Sequence, residues 1–385
     1  MKSIKKKNMC MKRYRLYAVI ALMLVTCSVA VNATESVTSR KALDLRSSME
    51  LEKVISNIAE ARVVYVGESH DSYSDHLTQL EIIRLMHAKN PRIAIGMEQF
   101  QQPFQGVLDA YISGEIDEKD LIRDSEWMER WRFDYRLYRP ILSFARKHSI
   151  PVIALNIPKE ITAKVSKGGI EGLSKEDKEK IPSDIDYSDE GYKERLKQVF
   201  ENHPHKNEKG FERFMQIQLL WDEGMAEKAA EYLQANPKRQ LVVLAGIGHL
   251  MYGSGIPQRV TRRISKKSAI ILPAGEYSLE KSVADFVVQG GGEALSERGM
   301  LGIFMVESEE GVKVTELVPD GAAVKAGVEE GDLILKVNGR MIKDVVDLKL
   351  ILMDESPGDS VTLQVFRKSL LLKDEEIELE FKLGK

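Results

Sequence analysis

Four short apolar segments, each ending in or followed by polar residues, limit the folds that this chain can adopt. They cover residues 62–66, 92–100, 150–156 and 240–246. The first, 62–66, is too short for a helix and rich in β-branched residues, which indicates a buried strand, and the other three are interpreted as strands as well. Segments with helical patterns separate them, and this alternation is typical of a mainly parallel sheet flanked by helices. The sequence therefore predicts an α/β domain, with a fifth strand at 269–272.

The helices are predicted from caps and apolar spacing. We expect helices at 49–59, from Ser72 or Ser74 to about residue 88, at 103–111, at 208–235 and at 257–264. Residues 127–147 become helical towards their end. Residues 166–208 are charged and poor in apolar side chains, so they are interpreted as a helical or loop insertion in the α/β domain.

Polar residues follow the predicted strands, where a parallel α/β sheet binds its ligands. They are Glu68 with His70, then Glu98, Asn156 and His249. His70 and His249 each end a Gly-x-x-His unit, and a glycine lets the chain turn sharply after a strand. We expect these side chains to share one edge of the sheet.

Two imidazoles and nearby carboxylates suit two kinds of chemistry. With a divalent metal ion, His70, Glu98 and His249 are the predicted ligands. Without one, Glu68, His70, Glu98 and His249 are the candidate catalytic residues of a general acid/base site. A single histidine after a strand is more often a turn residue, so the interpretation depends on the pair.

The other histidines carry less information. His76 and His87 fall on the helix after the first strand and are interpreted as partly buried or surface residues. His203 and His205 flank a proline in the charged insertion, which is a weak metal-binding pattern.

The segment 127–139 is rich in arginine and aromatic residues. Such a segment is more often a packing helix than a cofactor site. Tyr135 and Tyr138 are nevertheless candidates, because a tyrosinate can ligate haem iron.

The charge distribution separates the N-terminus from the rest of the chain. Seven of the 56 Lys and Arg residues and none of the 59 Asp and Glu residues lie in residues 1–33, so the remainder carries a formal charge of −10. An acidic protein lacks the basic surface that binds phosphate backbones, and no nucleic-acid partner is expected.

Residues 1–33 are predicted to be a signal peptide. A basic segment precedes an uncharged apolar run at 17–31, and small residues lead to cleavage after Ala33. The alternative is lipidation of Cys27, which follows a loose lipobox and would place the protein on a membrane. Cys10 and Cys27 are the only cysteines, so no disulfide or cysteine site remains after cleavage.

Six motifs together carry a resemblance to a known family. They are GESHD at 67–71, MEQF at 97–100, FDYRLYRPIL at 133–142, ALNIP at 154–158, QLLWDEGMA at 218–226 and AGIGH at 245–249. The region 34–288 resembles the ChaN-like haem-binding domains of the Tiki/erythromycin-esterase-like superfamily. The resemblance implies haem binding linked to iron uptake, often in lipoproteins, with a tyrosine-ligated haem at a dimer interface.

The haem ligand stays open, since Tyr135, Tyr138, Tyr187, Tyr192 and Tyr252 are all available. The candidate cofactor contacts are Tyr135, Tyr138, Asn156 and Trp221. In the Tiki branch, the paired Gly-x-x-His units imply metal-dependent proteolysis instead.

Residues 293–385, after a linker at 289–292, resemble a bacterial PDZ domain. The matching motifs are GMLGI at 299–303, VPDGAA at 318–323 and AGVEEGDLILKVNG at 326–339. The resemblance implies a small β-rich domain in which Met300, Leu301, Gly302 and Ile303 hold a peptide C-terminus. Asn338 and Gly339 predict a tight hairpin, and 344–353 a helix lining the groove.

Three functions follow. The first is an exported, periplasmic or envelope haem-binding protein linked to iron uptake, whose PDZ domain binds a partner and which forms a homodimer. The second is a metal-dependent hydrolase of peptidase or esterase type that uses the paired histidines. The third is a non-catalytic envelope scaffold.

Overall fold

The computed structural model describes residues 48–201, 207–277, 279–368 and 373–385. The predicted signal peptide at 1–33, the lipidation alternative at Cys27 and the histidines His203 and His205 lie outside these residues. No helix within the described ranges is long and apolar enough to cross a membrane.

The first sheet has six parallel strands in the order β3-β2-β4-β1-β5-β6. Their bounds are β1 Val63–Glu68, β2 Ile93–Gln101, β3 Val152–Asn156, β4 Gln240–Gly246, β5 Ser268–Pro273 and β6 Phe286–Val288. The predicted fold class is therefore confirmed. The short β6 was not predicted, because only three residues pair and none of them is buried, so no apolar run marks it.

Helices flank this sheet on both faces. They are α1 Leu51–Asn57, α2 Tyr73–Lys89, α3 Gln105–Ser113, α4 Glu118–Asp124, α5 Trp127–Arg130, α6 Arg139–Lys147, α7 Lys159–Gly168, α8 Lys175–Lys178, α9 Glu190–Phe200, α10 Glu208–Ala235, α11 Ile247–Leu250 and α12 Ile256–Ile264. Ser72 caps α2 as predicted, by accepting a hydrogen bond from the Asp75 backbone N–H. The 166–208 insertion contains the short helices α8 and α9, and the predicted helix at 208–235 is α10.

The two faces of the sheet pack into separate hydrophobic clusters. Along β1, Val64 and Val66 face one cluster, whereas Val63 and Tyr65 face the other. Because side chains alternate along a strand, burial on both faces requires the continuous apolar runs seen in the sequence. Within these strands, the polar side chains therefore lie towards the strand ends, as Glu68 does in β1 and Asn156 in β3.

The C-terminal region forms a second, antiparallel sheet of the kind predicted for a PDZ domain. The order is β12-β11-β9-β8-β7, and β10 pairs with β9. The elements are β7 Ile303–Ser308, β8 Gly311–Leu317, α13 Ala322–Ala326, β9 Leu333–Val337, β10 Arg340–Met341, α14 Val345–Ile351, β11 Ser360–Arg367 and β12 Glu375–Lys382. Asn338 and Gly339 both have positive φ angles in the β9–β10 turn, as the predicted tight hairpin requires.

The PDZ region packs against the α/β domain through α14. Arg123 of α4 forms ion pairs with Asp344, 2.6 Å away, and with Asp347, 2.5 Å away. Leu350 and Met353 are buried in the same hydrophobic cluster as residues of the α/β domain. The helix predicted to line the PDZ groove is therefore also a contact between the two domains.

Candidate functional site

Three adjacent strands, β2, β4 and β1, bring the predicted titratable residues to one edge of the sheet. Glu98 lies near the end of β2, Glu68 ends β1, and His249 lies in α11 directly after β4. His70 follows β1 by two residues. The predicted convergence of both Gly-x-x-His units is observed in the structure.

Glu68 is the most highly connected of these side chains. It is 1% exposed, and its Oε1 accepts hydrogen bonds from the Tyr138 hydroxyl (3.0 Å) and the Gln99 amide (2.9 Å). His70 Nδ1 lies 2.8 Å from Oε1, and His76 Nδ1 lies 3.0 Å from Oε2. Burial raises the pKa of Glu68, but the hydrogen bonds and charges of the two histidines outweigh it and lower the pKa to about 2. Glu68 therefore remains a carboxylate.

His70 is the more exposed imidazole of the two Gly-x-x-His units. Its side chain is 31% exposed. Its ring centroid lies 4.8 Å from that of Trp131 and 5.2 Å from that of Phe133. Burial lowers the pKa of His70, whereas its hydrogen bond to Glu68 and the charges of Glu98 and Glu68 raise it, with a net shift above the usual value. The result is a fixed imidazole with aromatic neighbours that solvent can reach.

His70 also packs against the second Gly-x-x-His unit. A Cβ at Gly246 would lie 2.8 Å from His70 Cε1 and 3.1 Å from Nε2. Glycine at this position keeps the space beside Nε2 clear. The two units are therefore in direct contact, not merely similar in sequence.

His249 is more enclosed, with its side chain 12% exposed. Its Nδ1 lies 2.7 Å from Asp222 Oδ1 and its Nε2 lies 3.4 Å from Glu98 Oε1. The other Glu98 oxygen accepts a hydrogen bond from the Gly246 backbone N–H at 2.7 Å. Burial lowers the pKa of His249, but Glu98 and Asp222 outweigh burial and raise it to about 9. His249 is thus protonated at neutral pH.

Three further residues are predicted cofactor contacts: Asn156, Trp221 and Tyr135. Each lies beside a different part of the α/β domain. Asn156 ends β3, beyond β2, and its Oδ1 accepts from the Ile157 backbone N–H. The Trp221 ring lies 6.2 Å from that of His249. Tyr135 is buried, and its ring lies 5.4 Å from that of Trp127.

The structure does not support the predicted divalent metal site. Within the described ranges, no group of three or more His, Cys, Asp or Glu residues is arranged to hold a metal ion. The physical reason is that the candidate donors bind one another. His249 Nε2 lies 3.4 Å from Glu98 Oε1, and the other Glu98 oxygen accepts a hydrogen bond from the Gly246 backbone N–H.

The residues at this edge fit a haem group better through an imidazole than through Tyr135 or Tyr138. Both tyrosines are almost fully buried, and this burial raises their pKa values well above the usual range, which disfavours a tyrosinate. His70 is accessible, its Nδ1 is oriented by a carboxylate, and the Phe133 side chain beside it is exposed. A carboxylate bound to the far ring nitrogen is the usual support of a metal-ligating histidine.

Sequence reasoning missed three residues of the site: His76, Gln99 and Asp222. His76 was interpreted as partly buried or at the surface, but it is 1% exposed and bound to Glu68. Asp222 is fully buried on α10 next to Trp221. The signal available in the sequence was an acidic residue, Asp222, among the apolar positions of the predicted helix at 208–235.

The PDZ region presents an unpaired strand edge beside the predicted carboxylate loop. Among the described strands, β7 pairs only with β8. Gly302 precedes β7 with φ of +76°, a conformation that favours glycine. Its carbonyl accepts from Val318 N–H, which anchors the loop, while Leu301 is buried and Met300 is exposed.

Comparison with known proteins matches both regions. The family model described as haem-binding uptake, Tiki superfamily, ChaN matches residues 54–260, and a PDZ domain model matches residues 299–383. A solved structure of ChaN from Campylobacter jejuni, described as showing cofacial heme binding, has a TM-score of 0.52 and 19% identity, and the match covers 63% of this chain and 93% of that one. At this identity, the likeness shows the fold.

Two curated relatives match the chain over different lengths. RETICULATA-RELATED 5, a chloroplastic protein of Arabidopsis thaliana, is 26% identical over 264 residues, which are 61% of this chain and 35% of that protein. A probable periplasmic serine endoprotease, DegP-like, of Bartonella henselae is 33% identical over 134 residues, which are 30% of this chain and 26% of that protein. The chain therefore spans only about a third and about a quarter of these relatives.

Proposed function

Because the chain belongs to the ChaN family of haem-binding uptake proteins within the Tiki superfamily, we propose that it binds haem at the carboxyl edge of the parallel sheet, beside His70. The observation that carries this proposal is an accessible imidazole that a buried carboxylate holds in place. His70 Nδ1 is 2.8 Å from Glu68, and the side chain is 31% exposed.

Each residue near His70 has a distinct role in this proposal. Glu68 orients the imidazole and leaves Nε2 as the nitrogen for iron. Phe133, 37% exposed, and the partly buried Trp131 offer apolar surface to a porphyrin face. Gly246 keeps the space beside Nε2 free of a side chain. When bound, haem would supply a redox-active iron.

An absorption titration of the full chain with haemin tests this proposal. We expect a saturable Soret band for the wild type. The control variant His148→Ala, which removes an exposed histidine at the C-terminal end of α6, should show the same band. His70→Ala should lower the affinity for haem by about 100-fold, because the iron ligand is lost. Equal affinities in all three proteins would exclude His70, and no saturable band in the wild type would exclude haem binding.

We also propose that the PDZ groove binds the C-terminus of a partner protein. The β7 edge can accept an extended peptide as an added strand, and the backbone at 300–303 can hold its terminal carboxylate. Met300, Leu301, Gly302 and Ile303 are the proposed binding residues. The partner would thereby be brought next to the haem-binding domain.

Fluorescence anisotropy with a labelled peptide ending in a free valine carboxylate tests the PDZ proposal, with the same peptide amidated as its control. We expect the amidated peptide to bind at least about tenfold more weakly, because its terminus carries no charge for the backbone N–H groups. Equal affinity for the two peptides would contradict binding of a C-terminus.

A second candidate function is hydrolysis without a metal ion. It is favoured by two carboxylate-backed imidazoles, His70 and His249, at the same edge of the sheet as Glu98. Since both His70 and His249 have raised pKa values, they favour proton donation, and Glu98 is the candidate proton acceptor. Glu68 and Asp222 would hold the two rings in position.

Hydrolysis of 4-nitrophenyl acetate, measured in the presence of a chelator, tests this second candidate. The expected result is turnover that falls by about 100-fold in Glu98→Gln and is unchanged in Glu129→Gln, an exposed carboxylate of α5. Turnover equal to that of the buffer would leave no support for a hydrolase. A chain with neither haem binding nor ester hydrolysis, but with a partner bound through its PDZ domain, would fit the third function, a non-catalytic envelope scaffold.

Export and a link to iron uptake complete the proposal. Export is supported by the basic and apolar segments of residues 1–33, and iron uptake by the family to which the chain belongs. Cell fractionation tests export, and mass spectrometry of the mature N-terminus distinguishes cleavage after Ala33 from lipidation at Cys27.

A further inference from the structure

We propose that the PDZ domain completes the haem site: Arg298 and Lys349 bind the carboxylate arms of a haem whose iron lies beside His70. The inference rests on the proposed haem binding, and it assigns to the PDZ domain a role separate from its peptide groove. It follows from a cleft between the two domains, from the charges around this cleft and from its distance to His70.

The cleft has a volume of about 160 Å³ and is lined by both domains. Trp127, Met128 and Phe133 contribute apolar walls from the α/β domain, and Met353 contributes one from the PDZ side. Sites that enclose a whole small molecule are commonly about 300–1,000 Å³. This cleft is too small for a porphyrin and has room for one edge of it.

Positive charge dominates the cleft. Arg132 lines it from the α/β domain, and Arg298 and Lys349 line it from the PDZ domain. Across the parts of the chain that the structure describes, these three side chains form no hydrogen bond or ion pair. The one carboxylate in the lining, Asp134, forms an ion pair with Arg136 at 2.9 Å. Arg298 also interacts electrostatically with Asp134, but none of the three cations is held in a hydrogen bond or ion pair. Such cations beside apolar walls suit the carboxylates of an amphipathic ligand.

The Phe133 ring connects the cleft with the imidazole edge. It lines the cleft, and its centroid lies 5.2 Å from that of His70. A planar ligand that packs on Phe133 can therefore reach both the imidazole and the cations. The backbone at Arg132 has a φ of +73°, a costly conformation for a residue other than glycine and one that is concentrated at binding sites.

The contacts between the domains hold the PDZ cations beside the cleft. Arg123 binds Asp344 and Asp347 at the start of α14, and Met353 is buried in the core cluster of the α/β domain. Lys349 lies on α14 between these anchors. Gly292, just before the PDZ domain, donates its N–H to the Ser74 hydroxyl of α2 at 3.0 Å.

Titration of the full chain with haemin and with its dimethyl ester, in which both carboxylates are blocked, tests the inference. The double variant Arg298→Ala/Lys349→Ala removes the PDZ cations. Its control, Lys325→Ala/Arg340→Ala, removes the same charge from exposed PDZ positions outside the cleft. We expect the cleft variant to bind haemin about tenfold more weakly and the ester unchanged, whereas the control matches the wild type for both ligands.

The other outcomes contradict the inference in different ways. If the wild type binds haemin and the cleft variant binds it equally well, the PDZ cations do not contact the ligand. If the cleft variant loses affinity for haemin and ester to the same extent, it disturbs the domain contact and not carboxylate binding. If the wild type binds neither ligand, the proposed haem function itself fails, and the inference fails with it.

Discussion

The two Gly-x-x-His units have the same sequence spacing but different surroundings. His70 pairs with Glu68 and is 31% exposed, whereas His249 pairs with Asp222 and is 12% exposed. His70 has the aromatic rings of Trp131 and Phe133 beside it, and His249 lies beside Glu98. The first unit is accessible to a ligand, and the second is held between two carboxylates.

This difference shows that a shared motif does not imply a shared role. Both glycines let a histidine follow a strand end closely. The segments packed around each histidine then decide whether a ligand can reach it. The segment after α5 leaves His70 accessible, and α10 encloses His249 by supplying Asp222. We therefore expect substitutions of the two histidines themselves to affect different properties, namely haem affinity at His70 and stability at His249.

The largest expected effect concerns the two supporting carboxylates. Glu68→Gln should lower the free energy of unfolding by about 3–5 kcal/mol, because it leaves His70 and His76 without their charged partner in a buried site. Asp222→Asn should cost about half as much, since Asp222 contacts one histidine and the Tyr192 hydroxyl. Urea denaturation at pH 7 measures the free energy of unfolding of both variants. A greater loss in Asp222→Asn than in Glu68→Gln would contradict the prediction.

The second prediction concerns the pH dependence that His249 imposes. Its pKa is about 9 in the folded protein and 6.5 in ordinary surroundings, so its stabilising contribution is complete below pH 6.5 and is lost as the pH rises through 9. The advantage of the wild type over His249→Asn should fall by about 3 kcal/mol across this range. Denaturation at pH 6 and pH 9.5 measures the difference in stability between the wild type and His249→Asn. The same difference at both pH values would contradict the pairing of His249 with Glu98 and Asp222.

The third prediction tests the contact between the two units. Gly246→Ala places a methyl group 2.8 Å from His70 Cε1, so the ring must move, and haem affinity should fall about tenfold. Gly248→Ala is the control, because a Cβ there meets no atom within 4 Å. Haemin titration of both variants measures the effect. Equal affinities would show that the position of His70 against Gly246 is not important.

The smallest expected effect concerns the Tyr138 hydroxyl. Tyr138→Phe removes a hydrogen bond to buried Glu68 and should cost about 1 kcal/mol. Tyr65→Phe is its control: the Tyr65 hydroxyl is buried, and no residue in the described ranges hydrogen-bonds to it, so the change should be neutral or stabilising. Thermal unfolding compares them, and equal shifts in Tm would contradict the role assigned to Tyr138.

Much of the fold was predictable because local patterns and packing agree. The apolar runs at β1 to β5 are buried on both faces of the sheet, so each strand appears in the sequence as a continuous run. The Ser72 cap and the Asn338-Gly339 turn depend on a few neighbouring residues. β6 depends instead on pairing with β5, which leaves almost no local signal.

The site was predictable only where residues follow strand ends. Glu68, His70, Glu98 and His249 share an edge because the sheet is parallel. Asp222 and His76 reach the same site from the helices α10 and α2, and their contacts depend on how these helices pack. The cleft between the domains depends on the packing of α14, which the sequence of either domain alone does not reveal.

The most direct test of the central claim is the relative haem affinity of His70→Ala and His249→Asn, measured by the same absorption titration. We predict that His70→Ala loses about 100-fold in haem affinity and that His249→Asn loses less than about tenfold, because His70 is the accessible ligand and His249 is not. A greater loss in His249→Asn, or equal losses in the two variants, would contradict it.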